Sequence, residues 1–274
     1  MKNVSPKLSR REMLRCSAGT LLALGLWPGS LRAADAGFGG KFSFIAINDI
    51  HYVDDKAVPF LERTFALMKS AESKPELCFV VGDFTEHGTR QELGAIRDLF
   101  KGLGIPTYGV IGNHDYATKT DRAPYEEIFP GRINYHFDHK QWQIVCLDTT
   151  QGQSYSKTVI ADVTLKWLDD TLPKLDKKRP TMVISHFPLG AGVTNRPVNA
   201  DAVLEKFLDY NLQAAFCGHW HGQSERTLRD AVLVTNRCCS FTANNHDGSK
   251  QKGFFRCQAD QGRVTRSFVE VSLT

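Results

Sequence analysis

The stretch Phe216-Cys217-Gly218-His219-Trp220-His221-Gly222 puts two imidazoles two residues apart, directly after an apolar run. In extended chain, side chains at i and i+2 point to one side, so such a pair is suited to gripping one charged centre. Four other places offer donors of the same kind. Asp49 and His51 stand in Asn-Asp-Ile-His, Asp83 in Gly-Asp-Phe-Thr-Glu-His-Gly, Asn113, His114 and Asp115 in Gly-Asn-His-Asp, and His186 in His-Phe-Pro. Mixed imidazole and oxygen donors accept iron, manganese, zinc or cobalt. Asp49, His51, Asp83, Asn113, His186, His219 and His221 are too many for one tetrahedral ion. They suit two ions that share a bridging carboxylate. Singly, each has an ordinary structural explanation, since an Asp-x-His is a common turn and an isolated histidine a hydrogen-bonded group. Five such loops along one chain argue against that explanation for all of them together.

The elements that must position these groups are strands. Apolar runs at 42–47, 77–81, 107–111, 142–147, 181–185 and 214–217 read as strands, and helical periods occupy 57–70, 90–101, 163–172 and 201–210. Strands alternating with helices predict an α/β fold with buried, partly parallel sheet. The region 226–274 reads as successive strands joined by turns, so a second sheet is expected to be built largely from hairpins. All five donor loops follow a strand, and sites in open α/β sheets form at the carboxyl ends of strands. Glycines at 82, 112 and 218 allow sharp turns there.

These motifs resemble those of the calcineurin-like metallophosphoesterases: Asp49-x-His51, Gly82-Asp83, Gly112-Asn113-His114-Asp115, His186 and Gly218-His219-x-His221. The resemblance spans residues 49–221. It implies a four-layer αββα sandwich of two mixed sheets flanked by helices. It also implies one metal held by Asp49, His51, Asp83 and His221, and another held by Asp83, Asn113, His186 and His219, with His114 as a catalytic histidine that is not a ligand. Glu86 stands where related protein phosphatases place the aspartate that pairs with this histidine; Asp115 is the other candidate partner. His87 occupies the position of a phosphate-binding arginine in those phosphatases. Purple acid phosphatases have a tyrosine at the position of Glu86 and lack the histidine found here as His51. The chain is more similar to class III cyclic nucleotide phosphodiesterases, with weaker likeness at Leu147-Asp148-Thr149-Thr150 and 165–172.

The expected activity is hydrolysis of a small phosphate mono- or diester by a metal-bridging hydroxide, with His114 protonating the leaving oxygen. A cyclic nucleotide is one candidate substrate. Asn195 and Arg196, in a long loop after His186, and His246, in a polar hairpin loop, are further candidates for substrate contact. A metal-binding module without catalysis is the alternative reading, as is a phosphomonoesterase of different specificity.

Composition bounds the partners. The chain has 274 residues and a net charge of +4. Residues 1–36 contain six basic and two acidic residues, which leaves the remainder balanced at 28 of each. A balanced domain has no nucleic-acid footprint. The leader has Arg10-Arg11 after Ser9, a weakly apolar stretch too short for a span, and Ala34-Asp35-Ala36 at its end. It resembles a twin-arginine export signal with Met13 where that pattern usually has Phe. The expectation is a leader over 1–36 removed by the twin-arginine machinery, one domain over 37–274, a periplasmic or extracellular location, and no stable membrane span. Of seven cysteines, Cys238, Cys239 and Cys257 are open to disulfide pairing. Replacing Arg10 and Arg11 together by Lys should leave unprocessed precursor in the cytoplasm, seen by fractionation and immunoblot; normal processing would contradict the export reading.

Overall fold

The computed structural model describes residues 39–70 and 74–274; the leader expected over 1–36 lies outside them. Its first strand shows how the fold is specified. β1 (Phe42–Ile47) is buried along its whole length. Phe42, Phe44 and Ala46 face one apolar layer, while Ile45 and Ile47 face another. A strand covered on both faces needs an unbroken apolar run rather than alternation. The same holds for β2 (Leu77–Val81), β5 (Trp142–Leu147), β6 (Thr181–Ser185) and β7 (Leu212–Cys217), each buried throughout.

Two mixed sheets result. β3 (Thr107–Val110), β10 (Lys252–Asp260) and β11 (Arg263–Val271) complete the first, in the order β11-β10-β1-β2-β3. β4 (Tyr135–His139), β8 (Ser224–Leu228) and β9 (Ala231–Thr235) complete the second, in the order β4-β5-β6-β7-β9-β8. β1, β2 and β3 run parallel, as do β5, β6, β7 and β9. The late strands are shared out: β10 pairs with β1 and β11 pairs with β10 at the edge, while β8 and β9 extend the second sheet. The hairpin-fed sheet expected from 226–274 is therefore not a separate one. β10 can pair with β1 because Phe255, Cys257 and Ala259, in the stretch that opposes β1, are buried, which suits an inner position.

Helices cover the outer faces. α1 (Val58–Lys69) and α2 (Arg90–Leu103) pack Phe60, Leu61, Phe65, Leu93, Ile96 and Phe100 on the first sheet, together with α3 (Ala123–Ile128), a short helix without a sequence expectation. α2 begins at Thr89, whose side chain accepts from the Glu92 amide, and stops at Gly104 in the left-handed conformation. α4 (Asp162–Thr171) and α5 (Ala200–Lys206) cover the second sheet with Leu168, Val203 and Leu204. α5 is shorter than the expected 201–210, because after Lys206 the amides of Phe207, Leu208 and Tyr210 bond three residues back in tighter turns. Cys238, Cys239 and Cys257 are free and buried. Among the described residues no helix is long and apolar enough to cross a membrane.

The layer between the sheets is aromatic at its centre. Phe44 lies edge-on to Phe79 of its own sheet at 5.4 Å and to Phe216 of the other at 5.5 Å. Strands that carry ligand loops thus meet at one ring. Phe44→Ala should cost about 3–5 kcal/mol of stability, measured by urea denaturation; a change under about 1 kcal/mol would mean that the layer closes around the gap.

Candidate metal centre

The ligand-type residues leave their strands by an unusual backbone route. Asp49, His51, Asp83, His219 and His221 all have positive φ, at 52°, 49°, 50°, 64° and 48°. Side chains rarely adopt this region, at about 1 kcal/mol or more each. His219 and His221 are consequently not on one side of an extended strand, as the i, i+2 spacing suggested. They sit in a turn past β7, and their rings diverge: His219 lies 5.2 Å from the His186 ring and His221 lies 4.9 Å from that of His51. Glycine is required where the loops touch. A Cβ at Gly112 would lie 2.1 Å from Asp83 Oδ1, and one at Gly82 would lie 2.3 Å from His186 Nδ1.

Two groups of donors that share Asp83 result, beside a third made of His51, Glu86 and His114. Asp49, His51, Asp83 and His221 bring ligand atoms within 4.8 Å of one another, and so do Asp83, His186 and His219. Asp83 belongs to both: its Oδ2 lies 3.6 Å from His51 Nε2 and 3.2 Å from His186 Nε2. Its other oxygen, Oδ1, accepts the His114 amide at 2.8 Å, which fixes the carboxylate plane. Asn113 Oδ1 joins the second group, 3.2 Å from His186 Nε2. Asp49 is held by the His219 amide, 3.0 Å from both of its oxygens, and by the Asn48 amide group.

The imidazoles are oriented as metal ligands usually are. Each uses one nitrogen on an oxygen outside the cluster. His51 Nδ1 donates to Glu86 at 2.7 Å, His186 Nδ1 to the Val81 carbonyl at 2.9 Å, His219 Nε2 to the Tyr155 carbonyl at 2.7 Å, and His221 Nδ1 to the Asn244 carbonyl at 2.8 Å. A carbonyl only accepts, so those nitrogens carry the proton and the remaining one turns a lone pair inward. His51 Nε2 and His221 Nε2 then face each other at 3.0 Å. Two ring nitrogens so placed need a proton or a metal cation between them. The donor set therefore fits divalent metal ions.

Electrostatics agree. Burial opposes ionisation of Asp49, but the charge of His221 and its hydrogen bond, with His186, hold the carboxyl down at about 2. Asp83 is likewise held low against burial, chiefly by His186 and His51. Burial disfavours charge on His186 and His221, yet the carboxylates prevail and lift them to about 9 and about 11. His219 moves the other way, to about 4, through burial and the neighbouring His186. Without metal the cluster recruits protons to offset its two carboxylates, and binding cations would release them.

The remaining candidates fall into place around this cluster. His114 is half-buried, with Nδ1 at 3.1 Å from the Glu86 carbonyl and 3.5 Å from Glu86 Oε1. Burial disfavours its charged form, but Glu86 and Asp83 raise it to about 9. Glu86 thus touches both a ligand histidine and His114, a double contact that spacing alone does not reveal. Asp115 faces elsewhere: it accepts from the Gly112 and Thr85 amides and the Thr85 hydroxyl, bracing two ligand loops against each other. Burial and the Asp83 charge push it up to about 7. His87 is exposed and bound to Glu92 at 2.7 Å. Arg196 pairs with Asp201 and donates to the Leu189 carbonyl, which braces its loop, and Asn195 beside it has left-handed backbone. His246 stands beside the first group, its ring 5.1 Å from His221. The carbonyls of Tyr155 and Asn244 had no sequence signal, because every residue carries one. Asn48, adjacent to Asp49, could have been read as its partner.

A family model for calcineurin-like phosphoesterases matches residues 42–223. The chain belongs to that family. It is 28% identical over 179 residues to a probable glycerophosphodiester phosphodiesterase of Arcobacter nitrofigilis, an alignment covering 61% of this chain and 64% of the relative. The chain thus spans less than two thirds of that relative's length. It is also 28% identical over 225 residues to a probable cyclic nucleotide phosphodiesterase of Synechococcus, covering 77% of this chain and 85% of the relative. In fold it is similar to the purple acid phosphatase PPD1 of yellow lupin, with a TM-score of 0.64 at 11% identity over 85% of this chain and 52% of that one.

Asp83→Asn keeps the shape of the side chain but removes the charge shared by both groups. Metal bound per chain, by atomic emission, should fall below wild type at both groups; full occupancy would show that Asp83 does not bridge.

Proposed function

We propose that this protein is a binuclear-metal phosphodiesterase acting on a small phosphate diester. The observation that carries the reading is one carboxylate, Asp83, shared between two ligand groups whose imidazoles are each locked with a lone pair inward. The names of the two relatives, both phosphodiesterases, support a diester over a monoester. Two bound divalent ions would supply positive charge for the phosphoryl oxygens and would lower the pKa of water towards about 7. Asp49, His51, Asp83 and His221 would hold one, and Asp83, Asn113, His186 and His219 the other.

The chain's own contribution to bond cleavage centres on His114. Its Nδ1 is occupied by Glu86, which leaves Nε2 to give a proton to the departing oxygen. Glu86 orients both this ring and His51, so the proton donor is fixed relative to a metal ligand. The leader's twin-arginine pattern supports export, removal of residues 1–36, and action of 37–274 outside the cytoplasm.

His114→Ala should keep its metal and lose about 10²–10⁴ in rate. The loss should be smallest for a nitrophenyl ester, whose leaving group departs without help, and largest for an alkyl ester, whose alkoxide needs the proton. Equal losses would show that His114 stabilises phosphoryl charge instead, and absence of turnover of any diester by fully metal-loaded wild type would remove the enzyme reading.

A further inference from the structure

A cleft of about 1170 Å³ opens beside the second ligand group. Tyr155 ties the two together: its carbonyl accepts from His219 Nε2 at 2.7 Å, and the residue lines the cleft. Tyr116, two residues after His114, lines it as well. The cleft thus begins where the donor groups end and runs over the loop 148–161 and the first turn of α4.

Its walls have a definite chemistry. Among the described residues seven large apolar side chains are exposed, and three of them, Tyr155 at 67%, Val159 at 42% and Val163 at 67%, line this one cleft. Scattered exposed apolar groups are ordinary, but a concave cluster beside a reactive centre is the usual form of a ligand site. Charge is balanced inside it. The lining carries two cationic and two anionic side chains, Lys119 and Arg122 with Asp148 and Asp162, and Arg122 is bound to Asp148 at 2.6 Å and to Glu126 at 2.8 Å. Nothing there favours a second anionic group over a neutral one.

The loop is also built to keep its shape. Gln151 accepts the Val159 amide at 3.0 Å, Gln153 donates to the Tyr116 carbonyl at 2.8 Å, and Asn199 accepts the Ile160 amide at 2.8 Å. Exposed apolar side chains on a braced loop present a preformed surface, which costs little ordering on binding.

We propose that this cleft receives a ring-bearing, uncharged organic group of the phosphodiester, with Tyr155 as the stacking surface and Val159 and Val163 as apolar walls. This rests on the phosphodiesterase reading and adds the class of substrate: a diester carrying an aromatic or similarly planar group rather than a small polyol or a second phosphate. Tyr155 acts through its side chain here, while its backbone carbonyl serves His219 whatever the side chain.

The test compares bis(4-nitrophenyl) phosphate with methyl 4-nitrophenyl phosphate on the manganese-loaded protein. Both release the same phenolate, and their intrinsic reactivities cancel when wild type is compared with variants. Tyr155→Ala and Val163→Asp should each lower the aryl-to-methyl ratio of kcat/KM by roughly tenfold, mainly through KM, with metal content and Tm as in wild type. A ratio unchanged in both variants overturns the proposal. Loss of metal from Tyr155→Ala overturns it too, because the ring would then be supporting His219. If wild type turns over neither ester, the phosphodiesterase reading fails, and the cleft is judged by calorimetry with phenylphosphonate against methylphosphonate. A phenyl preference lost in Tyr155→Ala then upholds the cleft as a ring site, and equal affinities overturn it.

Discussion

Two carboxylates, Asp49 and Asp83, are fully buried in one place, and the rest of the structure follows from that. An isolated buried charge is too costly to persist, so it must be hydrogen-bonded and matched by opposite charge. Amides supply the hydrogen bonds: His219 N–H for Asp49 and His114 N–H for Asp83. Imidazoles supply the matching face, but neutral imidazoles bring no charge. The balance has to come from protons or from metal ions, and a donor set of carboxylates and imidazoles grouped around Asp83 fits the latter. The arrangement stores demand for cations in the folded chain.

That demand is held against strain. Five ligand residues adopt left-handed backbone, each at a cost that isolated loops would relieve by opening. They cannot open because each follows a strand or strand-adjacent turn anchored in the interior. β1, β2, β6 and β7 are buried along their full length, and Phe44 ties the two sheets at their centre. Asp115 adds a brace between the 82–88 loop and the 112–116 turn. Stability made in the sandwich is spent at its edge, where the chemistry needs a geometry the chain would not choose.

Much of this was legible in the sequence because two periodicities rarely coincide by accident. Unbroken apolar runs marked the inner strands, and the same donor types followed them in order. The helical period over 90–101 located α2 to within two residues of its end, because amphipathic periodicity is local. What stayed hidden was non-local. Nothing local shows that β10 crosses to β1 while β9 joins β7, since pairing depends on which strand face remains uncovered. α3 has too few residues to show a period. The i, i+2 argument reached the right residues by the wrong backbone, because it assumed extension where the chain turns. The choice between Glu86 and Asp115 beside His114 could not be made from adjacency: Asp115 is next in the chain, yet its oxygens are taken by the Gly112 amide of its own turn and the Thr85 amide of another loop.

The backbone carbonyls explain how selectivity and reactivity come to be joined in this chain. His219 is oriented by Tyr155 and His221 by Asn244, and both acceptors lie on long loops rather than on strands. One of these loops walls the apolar cleft; the other carries His246 beside the first ligand group. The side chains of Tyr155 and Asn244 are free of this duty, because the groups these residues lend to the metal centre are main-chain oxygens. A loop can therefore change which organic group it accepts without changing what it does for its histidine. Its path, however, cannot move, since a displaced carbonyl would release the ring it orients. The bracing of 148–161 by Gln151, Gln153 and Asn199 fixes that path, and so serves the metal centre and the cleft at once.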